Sequence, residues 1–430
     1  MSNKPKGKND DAWEKLFTKY DILNQVDMHQ KYVITAGQIK EYREPRLMAK
    51  FDHIINLPQI FAKNRLSILP ISRGSYVISN YEAYYKFENT STESIQAKLP
   101  EHIQSLDKDN IQSEAISINC ALASGILNDF LGEEELTATV SGRMGSDCFN
   151  FEIKNNKIAK LSNVEVINAQ IEIDAAYEGL ESLTLLEAKR DISEDFLIRQ
   201  LYYPYRVWTE RVTKRVRPVF LVYSNGMFSL YEYEFKEPKI YNSIELVQQK
   251  NYVLDDVDIT IGDLEDLLKN TQIIREPEIP FPQADNFKRV INFCELLTNT
   301  TMDRDEVTEE YAFDIRQTNY YTDACRYLGL VEKKKDQGRV VYQLTAKGKS
   351  TMNMPGRQRQ LEFSKSILEH RAFNSTLSIA LGEGRMPDKQ RIVAIMKQCN
   401  LYRIESEETY KRRASTISGW INWMLEIINE

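Results

Sequence analysis

The spacing of apolar residues separates one helical stretch from a long series of strands. Between about residues 113 and 131 it predicts one amphipathic helix, whose apolar face carries Ile116, Cys120, Ala123 and Leu127. After Gly132 the pattern changes to strands, in LTATVSG, CFNFEI, AQIEIDAAY and LTLLEAK. A second helix is predicted from about Ser193, followed by PVFLVYSNGMFSLYEYEF, in which Asn-Gly marks a hairpin. This order of helices and strands predicts an α/β core.

Breaks in the pattern divide the chain into four predicted domains. Residues 88–111 are polar and lack periodicity, as is typical of a connection. Pro277, Pro280 and Pro282 mark one boundary, and Met-Pro-Gly at 354–356 marks another. We therefore predict a multidomain α/β (α+β) protein. Its domains are an N-terminal α+β domain over 1–110, an α/β core over 111–275, three helices and a hairpin over 276–355, and a helical domain over 356–430.

Composition narrows the class of protein. Apolar residues make up 42% of the 430, which suffices for packed interiors. Because the chain has no run of about eighteen apolar residues and its start (MSNKPKGKNDD) is polar, we expect a cytoplasmic protein without a membrane span. Five cysteines and four histidines are scattered without a CxxC pair, which argues against a zinc cluster or disulfide framework. Any metal would have oxygen ligands, which favours Mg²⁺.

One Asp/Glu-any-Lys triplet stands in a distinctive context. Such triplets are frequent, and they begin in this chain at Glu152, Glu187, Glu234, Glu237 and Glu332. The triplet at Glu187 ends an apolar strand, and Asp174 lies thirteen positions earlier on another strand, across a short turn. Side chains alternate between the faces of a strand, so Glu187 and Lys189 project together. If the two strands pair, Asp174 reaches the same place.

Two carboxylates beside an ammonium suit phosphodiester hydrolysis with a hard divalent cation. The cation would polarise the phosphate and lower the pKa of a bound water, while the lysine would orient that water and offset developing charge. The alternative is a salt-bridged surface hairpin that holds no metal, because charged strand ends are common.

These residues resemble the PD-(D/E)XK nuclease superfamily, through QIEID and LTLLEAK after a helix that bears Glu114. Within it, the chain resembles bacterial type II restriction endonucleases with winged-helix domains. That closer similarity rests on YREPRLMAKFD, LPISRGSY, SGRMGS, RQLYYPYRVW and RQTNYYTDACRYLGLV. The position before Asp174 departs from the pattern, since Ile173 stands where proline is usual.

The resemblance implies a role for each residue of the motif. Asp174 and Glu187 would be metal ligands for Mg²⁺, Lys189 the catalytic lysine and Gln200 an auxiliary glutamine. Glu114 and Glu172 are weaker candidates for a further ligand, because such a residue is more often a solvated carboxylate. For Gln200, packing of its helix is an alternative to a role in the site.

Residues 286–350 are predicted to form a winged helix that contacts double-stranded DNA. Its third helix carries polar residues of the types that contact bases and phosphates, and the following hairpin is basic. The candidate contacts are Arg316, Gln317, Asn319, Tyr320, Lys334 and Arg339. The alternative is a winged helix that contacts another protein.

Other basic residues are candidates for DNA contacts as well. A second helix-turn-helix is predicted near the C-terminus with Arg412, Arg413 and Thr416, although a capped amphipathic helix explains that pattern nearly as well. Arg43, Arg46 and Arg143 lie in the resembling motifs, so the N-terminal domain could also recognise DNA. A basic cluster between Arg206 and Arg217 could neutralise phosphates or simply form a solvated helix face.

The sequence therefore predicts a Mg²⁺-dependent, site-specific DNA endonuclease of a restriction system. Its partners would be duplex DNA and, functionally, a cognate DNA methyltransferase, and cutting two strands makes a homodimer plausible. Two alternatives stay open. One is a winged-helix regulator with a non-catalytic nuclease-like core, and the other is a repair nuclease that recognises DNA structure rather than sequence.

Overall fold

The computed structural model describes residues 7–88, 93–254, 258–310, 313, 315–336 and 338–428. The chain forms two compact units of mixed α/β structure. The first comprises Met1–Ile95, Glu114–Tyr223 and Met227–Tyr252, and the second comprises Gln96–Ser113, Ser224–Gly226 and Val253–Glu430. In the described residues, no helix combines the length and apolar character needed to cross a membrane.

The N-terminal part of the first unit packs helices against a small sheet of order β1-β3-β2. Its core is aromatic, because the rings of Trp13, Phe17 and Phe61 meet edge to face. The elements are α1 (Lys8–Lys19), α2 (Ile22–His29), β1 (Tyr32–Thr35), α3 (Ala36–Lys40), α4 (Pro45–Met48), α5 (Gln59–Asn64), β2 (Ser67–Ser72) and β3 (Ser75–Ser79), with a 3₁₀ turn at Ile54–Asn56.

The remainder of the first unit is built on a seven-stranded mixed sheet of order β5-β14-β13-β12-β10-β9-β6. Strand β10 pairs antiparallel with β9 and parallel with β12, which is reached through α8. The elements are β4 (Tyr84–Lys86), β5 (Ser94–Gln96), α6 (Glu114–Ala123), α7 (Ile126–Leu131), β6 (Thr137–Gly145), β7 (Cys148–Ile153), β8 (Ser162–Ile167), β9 (Gln170–Glu178), β10 (Ser182–Lys189), β11 (Asp195–Leu197), α8 (Arg199–Arg211), β12 (Arg215–Ser224), β13 (Met227–Phe235) and β14 (Ile244–Val253).

Local structure agrees with most of the sequence pattern in this region and corrects it in two places. The predicted helix over 113–131 is two helices, because Gly125 adopts a left-handed conformation with φ 75° between α6 and α7. The helix predicted from about Ser193 begins at Arg199, after the short strand β11. The Asn-Gly turn is confirmed, with φ of 56° at Asn225 and 76° at Gly226.

The second unit is mainly helical. Its small sheet has the order β15-β17-β16, and its core includes the buried ring of Trp420, whose Nε1 donates to the Ala284 carbonyl at 2.6 Å. The elements are α9 (Ile261–Asn270), α10 (Phe287–Leu296), β15 (Met302–Asp303), α11 (Arg304–Glu310), α12 (Ile315–Tyr327), β16 (Val331–Asp336), β17 (Arg339–Leu344), α13 (Ala346–Met352), α14 (Gly356–Leu368), α15 (Arg371–Glu383), α16 (Lys389–Lys397) and α17 (Glu407–Glu426).

Candidate active site

The pairing of β9 with β10 brings Asp174 to the Glu187–Lys189 triplet. The last paired residues of the two strands are Leu186 and Ala175, so the next register position places Asp174 opposite Glu187. There the Oδ2 atom of Asp174 accepts a hydrogen bond of 2.8 Å from the backbone N–H of Ala188. The three predicted residues therefore meet at one end of the strand pair, as the alternation of side chains along β10 requires.

Glu187, Lys189 and Gln200 form one hydrogen-bonded group. Glu187 Oε1 accepts from Lys189 Nζ at 2.6 Å and from Gln200 Nε2 at 2.6 Å. Gln200 lies in the first turn of α8, so the connection from β10 returns it to the end of the strand. Its own Oε1 atom is buried and has no hydrogen-bond partner among the described residues. This leaves one acceptor in the group open to a donor such as water.

The electrostatics of the group depend on its burial. The side chains of Glu187 and Lys189 are 11% and 15% exposed. Burial raises the pKa of Glu187 to about 7, although the adjacent Lys189 opposes that shift. Burial also raises the pKa of Asp174. For Lys189, burial alone would lower the pKa, but the surrounding carboxylates raise it well above its ordinary value, so the ammonium stays charged.

Four carboxylates act on that one ammonium. They belong to Glu187, Glu114, Asp52 and Asp174 in decreasing order of their effect on the pKa of Lys189. Glu114 Oε1 lies 3.8 Å from Lys189 Nζ, and burial raises the Glu114 pKa as well. Glu172 instead forms an exposed ion pair with Arg143, 3.1 Å from its Oε1 to Nε. Lys50 lies 3.6 Å from Asp52 and its charge acts on Glu114, so four carboxylates stand near two ammonium groups. A bound cation would relieve this excess of negative charge.

Asp52 was missed by the pattern analysis. It is the last residue of YREPRLMAKFD. This segment contributes to the resemblance to restriction endonucleases, but no residue spacing within it indicates a role for Asp52. Its backbone carbonyl accepts from the N–H of Leu197 at 2.9 Å, which docks this segment on β11. The sequence carries no local signal for such a contact, because the two residues are far apart along the chain.

The donor set fits Mg²⁺ bound with water. Among the described residues, no three His, Cys, Asp or Glu side chains are arranged to enclose an ion by themselves. Mg²⁺ usually binds through one or two carboxylates and keeps several waters, so Asp174 and Glu187 are a sufficient protein contribution. The excess of carboxylates and the open Gln200 acceptor agree with an aquated cation at this position.

The basic cluster between 206 and 217 is largely occupied within the protein. Arg206 is buried and donates to the Asn150 carbonyl at 2.8 Å. Arg217 is buried against Glu232, with an ion pair of 2.7 Å. These two side chains do not form a surface for phosphates, because both are paired with groups inside the first unit.

Most predicted DNA contacts of the second unit lie on its surface. Arg316, Gln317, Asn319 and Tyr320 are all partly exposed on α12. On the hairpin that follows, Lys334 is exposed in β16, and Arg339 is 73% exposed with Asp303 at 3.9 Å. The residues Ala324, Leu328 and Leu330 are buried, so the helix presents a polar face outward as the sequence predicts.

The C-terminal candidates divide between surface and core. Arg412 is exposed, and the half-buried Arg413 lies near α12, where Tyr320 and Asp323 act on its pKa. Burial lowers the pKa of Arg413, which is the largest of these effects. Thr416 is 1% exposed, so its prediction as a DNA contact is wrong: it lies on the packed face of α17.

The arginines of the resembling motifs are at least partly accessible. Arg46 is exposed, and Arg143 is exposed in its ion pair with Glu172. Arg43 is half-buried and donates from Nη1 to the side-chain oxygen of Asn9 at 2.6 Å.

Three protein-family models match successive parts of the chain, and each is described as a domain of unknown function. They are DUF6996 over residues 10–78, DUF6997 over 79–253 and DUF7226 over 289–429. Asp174, Glu187, Lys189 and Gln200 all fall within the second match, while Asp52 falls within the first. No curated protein matches the chain. No solved structure matches it either.

Proposed function

We propose that this chain is a Mg²⁺-dependent DNA endonuclease with a catalytic core of the PD-(D/E)XK type. The observation that carries the proposal is the hydrogen bond from Ala188 N–H to Asp174, which joins two carboxylates and the ammonium of Lys189 at the end of one strand pair. A salt-bridged hairpin without a catalytic role would need no such convergence, and its charges would be solvated rather than buried.

The roles of the residues follow from their contacts. Asp174 and Glu187 would hold the metal. When bound, Mg²⁺ supplies charge stabilisation at the phosphate and lowers the pKa of a coordinated water. Lys189, charged despite its burial, would offset negative charge that develops on the phosphate. Gln200 orients Glu187 through its Nε2 and leaves its Oε1 to accept from water.

The arrangement of the core supports the same proposal. Strand β10 has an antiparallel neighbour that carries Asp174 and a parallel neighbour that is reached through α8, which carries Gln200. Residues of the proposed site therefore come from a hairpin and the following crossover helix, at one end of a mixed sheet. We propose that this sheet, with α6 and Glu114 beside it, is the nuclease core.

We further propose that α10 to β17 form a winged-helix domain that binds DNA. The order helix, short strand, two helices and a two-stranded hairpin, with β15 pairing to β17, agrees with that fold. Its third helix, α12, presents Arg316, Asn319 and Tyr320 at the surface beside an exposed basic hairpin. Sequence-specific cleavage of duplex DNA in a restriction system, with a cognate methyltransferase and a homodimer that cuts both strands, remains part of this proposal.

Digestion of plasmid DNA tests the proposal directly. Wild-type protein with Mg²⁺ should give discrete fragments, and EDTA or Lys189→Ala should prevent cleavage. Lys250→Ala is a matched control, because Lys250 lies on β14 of the same sheet, forms an ion pair with Asp129 at 3.0 Å and belongs to neither the proposed site nor the basic cluster. Cleavage confined to forked or branched DNA would favour a repair nuclease. Binding without cleavage in Mg²⁺, Mn²⁺ and Co²⁺ would favour a regulator and overturn the enzymatic proposal.

A further inference from the structure

A buried histidine joins the N-terminal segment to the loop that follows β10. The side chain of His53 is 6% exposed. Its Nδ1 lies 2.6 Å from the backbone carbonyl oxygen of Asp195, and its Nε2 lies 3.3 Å from Oδ2 of Asp191. Asp191 and Asp195 are also buried. The ring therefore contacts both ends of the 191–195 segment.

The two contacts together require a proton on each ring nitrogen of His53. A backbone carbonyl oxygen can only accept a hydrogen bond, so Nδ1 must donate, and an ionised carboxylate can only accept, so Nε2 must donate too. The imidazolium satisfies both at once. Among the described residues, Asp191 Oδ2 is buried without a close hydrogen-bond partner, and His53 Nε2 at 3.3 Å forms its ion pair, so a neutral ring would take the positive charge away from a buried carboxylate.

The charges around His53 favour this protonated state. Burial alone would lower the pKa of His53, but its hydrogen bond and charge interaction with Asp191 raise that pKa above the ordinary value. The other groups that face it are Asp195 and, on its own segment, Asp52. The charge of Lys189 also acts on Asp191, and Tyr84 lies near Asp52 and Asp195.

The segment that carries Asp52 and His53 is also held to β11 by two hydrogen bonds from main-chain N–H groups. The N–H of Ile54 donates to Asp195 Oδ1 at 2.9 Å, and the N–H of Leu197 donates to the Asp52 carbonyl at 2.9 Å. Asp191 follows Lys189 by two positions, and Asp195 precedes Gln200 by five. The contacts of His53 thus lie between the two residues that hydrogen-bond Glu187 Oε1.

We propose that His53 is a positioning residue for the nuclease reaction. Through its contacts with Asp191 and Asp195, it holds Lys189 and Gln200 against Glu187. This inference rests on the proposed function and adds a residue from the N-terminal part of the first unit. Because the pKa of His53 is raised, the charged contact is present at low pH and is lost as pH rises through that raised value. The contribution of His53 to cleavage should disappear over the same range.

The experiment compares single-turnover cleavage by wild type and His53→Asn from about pH 6 to about pH 9, where histidine changes charge. The rate ratio should be on the order of 10-fold or more at low pH, as for other residues that orient a site, and should fall toward one at high pH. DNA affinity, measured with Ca²⁺ in place of Mg²⁺, should not change. His29→Asn is the matched control, because His29 is exposed on α2 in the same unit.

Asp191→Asn provides an independent variant if His53→Asn folds poorly, and it should give the same pH-dependent loss. Equal rates for the variants and wild type, or a loss that does not vary with pH, would overturn the inference.

NMR of the imidazole nitrogens gives a readout independent of cleavage: both should be protonated at neutral pH, and a neutral ring would also overturn it. If the His53 ring is protonated but the wild-type protein does not cleave DNA, the proposed function is contradicted. The positioning role of the His53–Asp191 ion pair then falls with it.

Discussion

The carboxylate of Asp174 accepts a hydrogen bond of 2.8 Å from the main-chain N–H of Ala188, between Glu187 and Lys189. This contact continues the β9–β10 pairing beyond Leu186 and Ala175, but through a side chain. It fixes one carboxylate of the proposed metal site relative to the strand that carries the other. The Asp174 carboxylate therefore stabilises the hairpin and is also a proposed metal ligand.

Asp174→Asn separates these two roles. Asparagine keeps an acceptor for the Ala188 N–H but loses the charge, so the free energy of unfolding should change by no more than about 1 kcal/mol. Cleavage in Mg²⁺ should fall at least about 100-fold, because a ligand charge is lost where transition-state charge is balanced. Urea unfolding and plasmid cleavage measure the two effects. Retained cleavage would remove Asp174 from the site.

Gln200→Ala should weaken the site without abolishing it. Removal of the Nε2 donor leaves Glu187 Oε1 with Lys189 and lets the carboxylate rotate, so we expect a loss on the order of 10-fold in cleavage or Mg²⁺ affinity. Cleavage rates titrated with Mg²⁺ separate these effects. Gln248→Ala is the control, because Gln248 makes a similar 2.8 Å hydrogen bond to Glu232 elsewhere in the first unit. Equal losses in both variants would point to general destabilisation.

Metal binding should weaken as pH falls through about 7, the raised pKa of Glu187. A carboxyl group with a raised pKa in the folded state favours folding when protonated, so its contribution is present at low pH and declines as pH rises through that pKa. Mg²⁺ reverses this loss by binding the ionised form. The rise in Tm caused by Mg²⁺ should therefore be larger at about pH 8 than at about pH 6. Glu187→Gln should remove the difference, and a pH-independent rise in wild type would contradict the assignment.

Two substitutions in the second unit should affect DNA binding differently. Lys334→Ala removes an exposed charge, so affinity should fall for all sequences and the salt-dependence slope should decrease by about 1. Asn319→Ala on α12 should change sequence preference, by about 1–3 kcal/mol at one base pair. Fluorescence anisotropy with a set of duplexes distinguishes the two. Lys269→Ala, exposed on α9, should have no effect. If all three variants bind as wild type does, α12 and the hairpin do not contact DNA.

Two helical glycines should respond to alanine in opposite directions. A Cβ atom at Gly419 in α17 would lie 2.1 Å from the Asp285 carbonyl oxygen, whereas one at Gly382 in α15 would meet no atom within 4 Å. Gly382→Ala should therefore stabilise the protein by about 0.5–1 kcal/mol through helix propensity. Gly419→Ala should destabilise it by about 1–3 kcal/mol, because main-chain atoms must move. Thermal unfolding of both variants measures the signs, and a stabilising Gly419→Ala would disprove the close approach of α17 to residue 285.

Local spacing predicted the elements that carry the proposed site. Alternation along β10 determines that Glu187 and Lys189 share a face, and the short turn after β9 allows Asp174 to join them. The outward polar face of α12 follows from helical periodicity in the same way. Where left-handed backbone interrupts a periodic stretch, as at Gly125, the pattern gave the helical residues but not the break.

The sequence by itself determined which residues can act together within one strand or helix, because side-chain direction repeats every two or 3.6 residues. Only the tertiary structure decided which distant segments meet them. His53 contacts Asp195 across 142 positions, and Asp52 approaches Lys189 from the same segment. Thr416 is buried for the same kind of reason, because it lies on the face of α17 that packs against the core of the second unit. Such contacts depend on how loops and sheets are placed in space, and no periodicity along the chain encodes that placement.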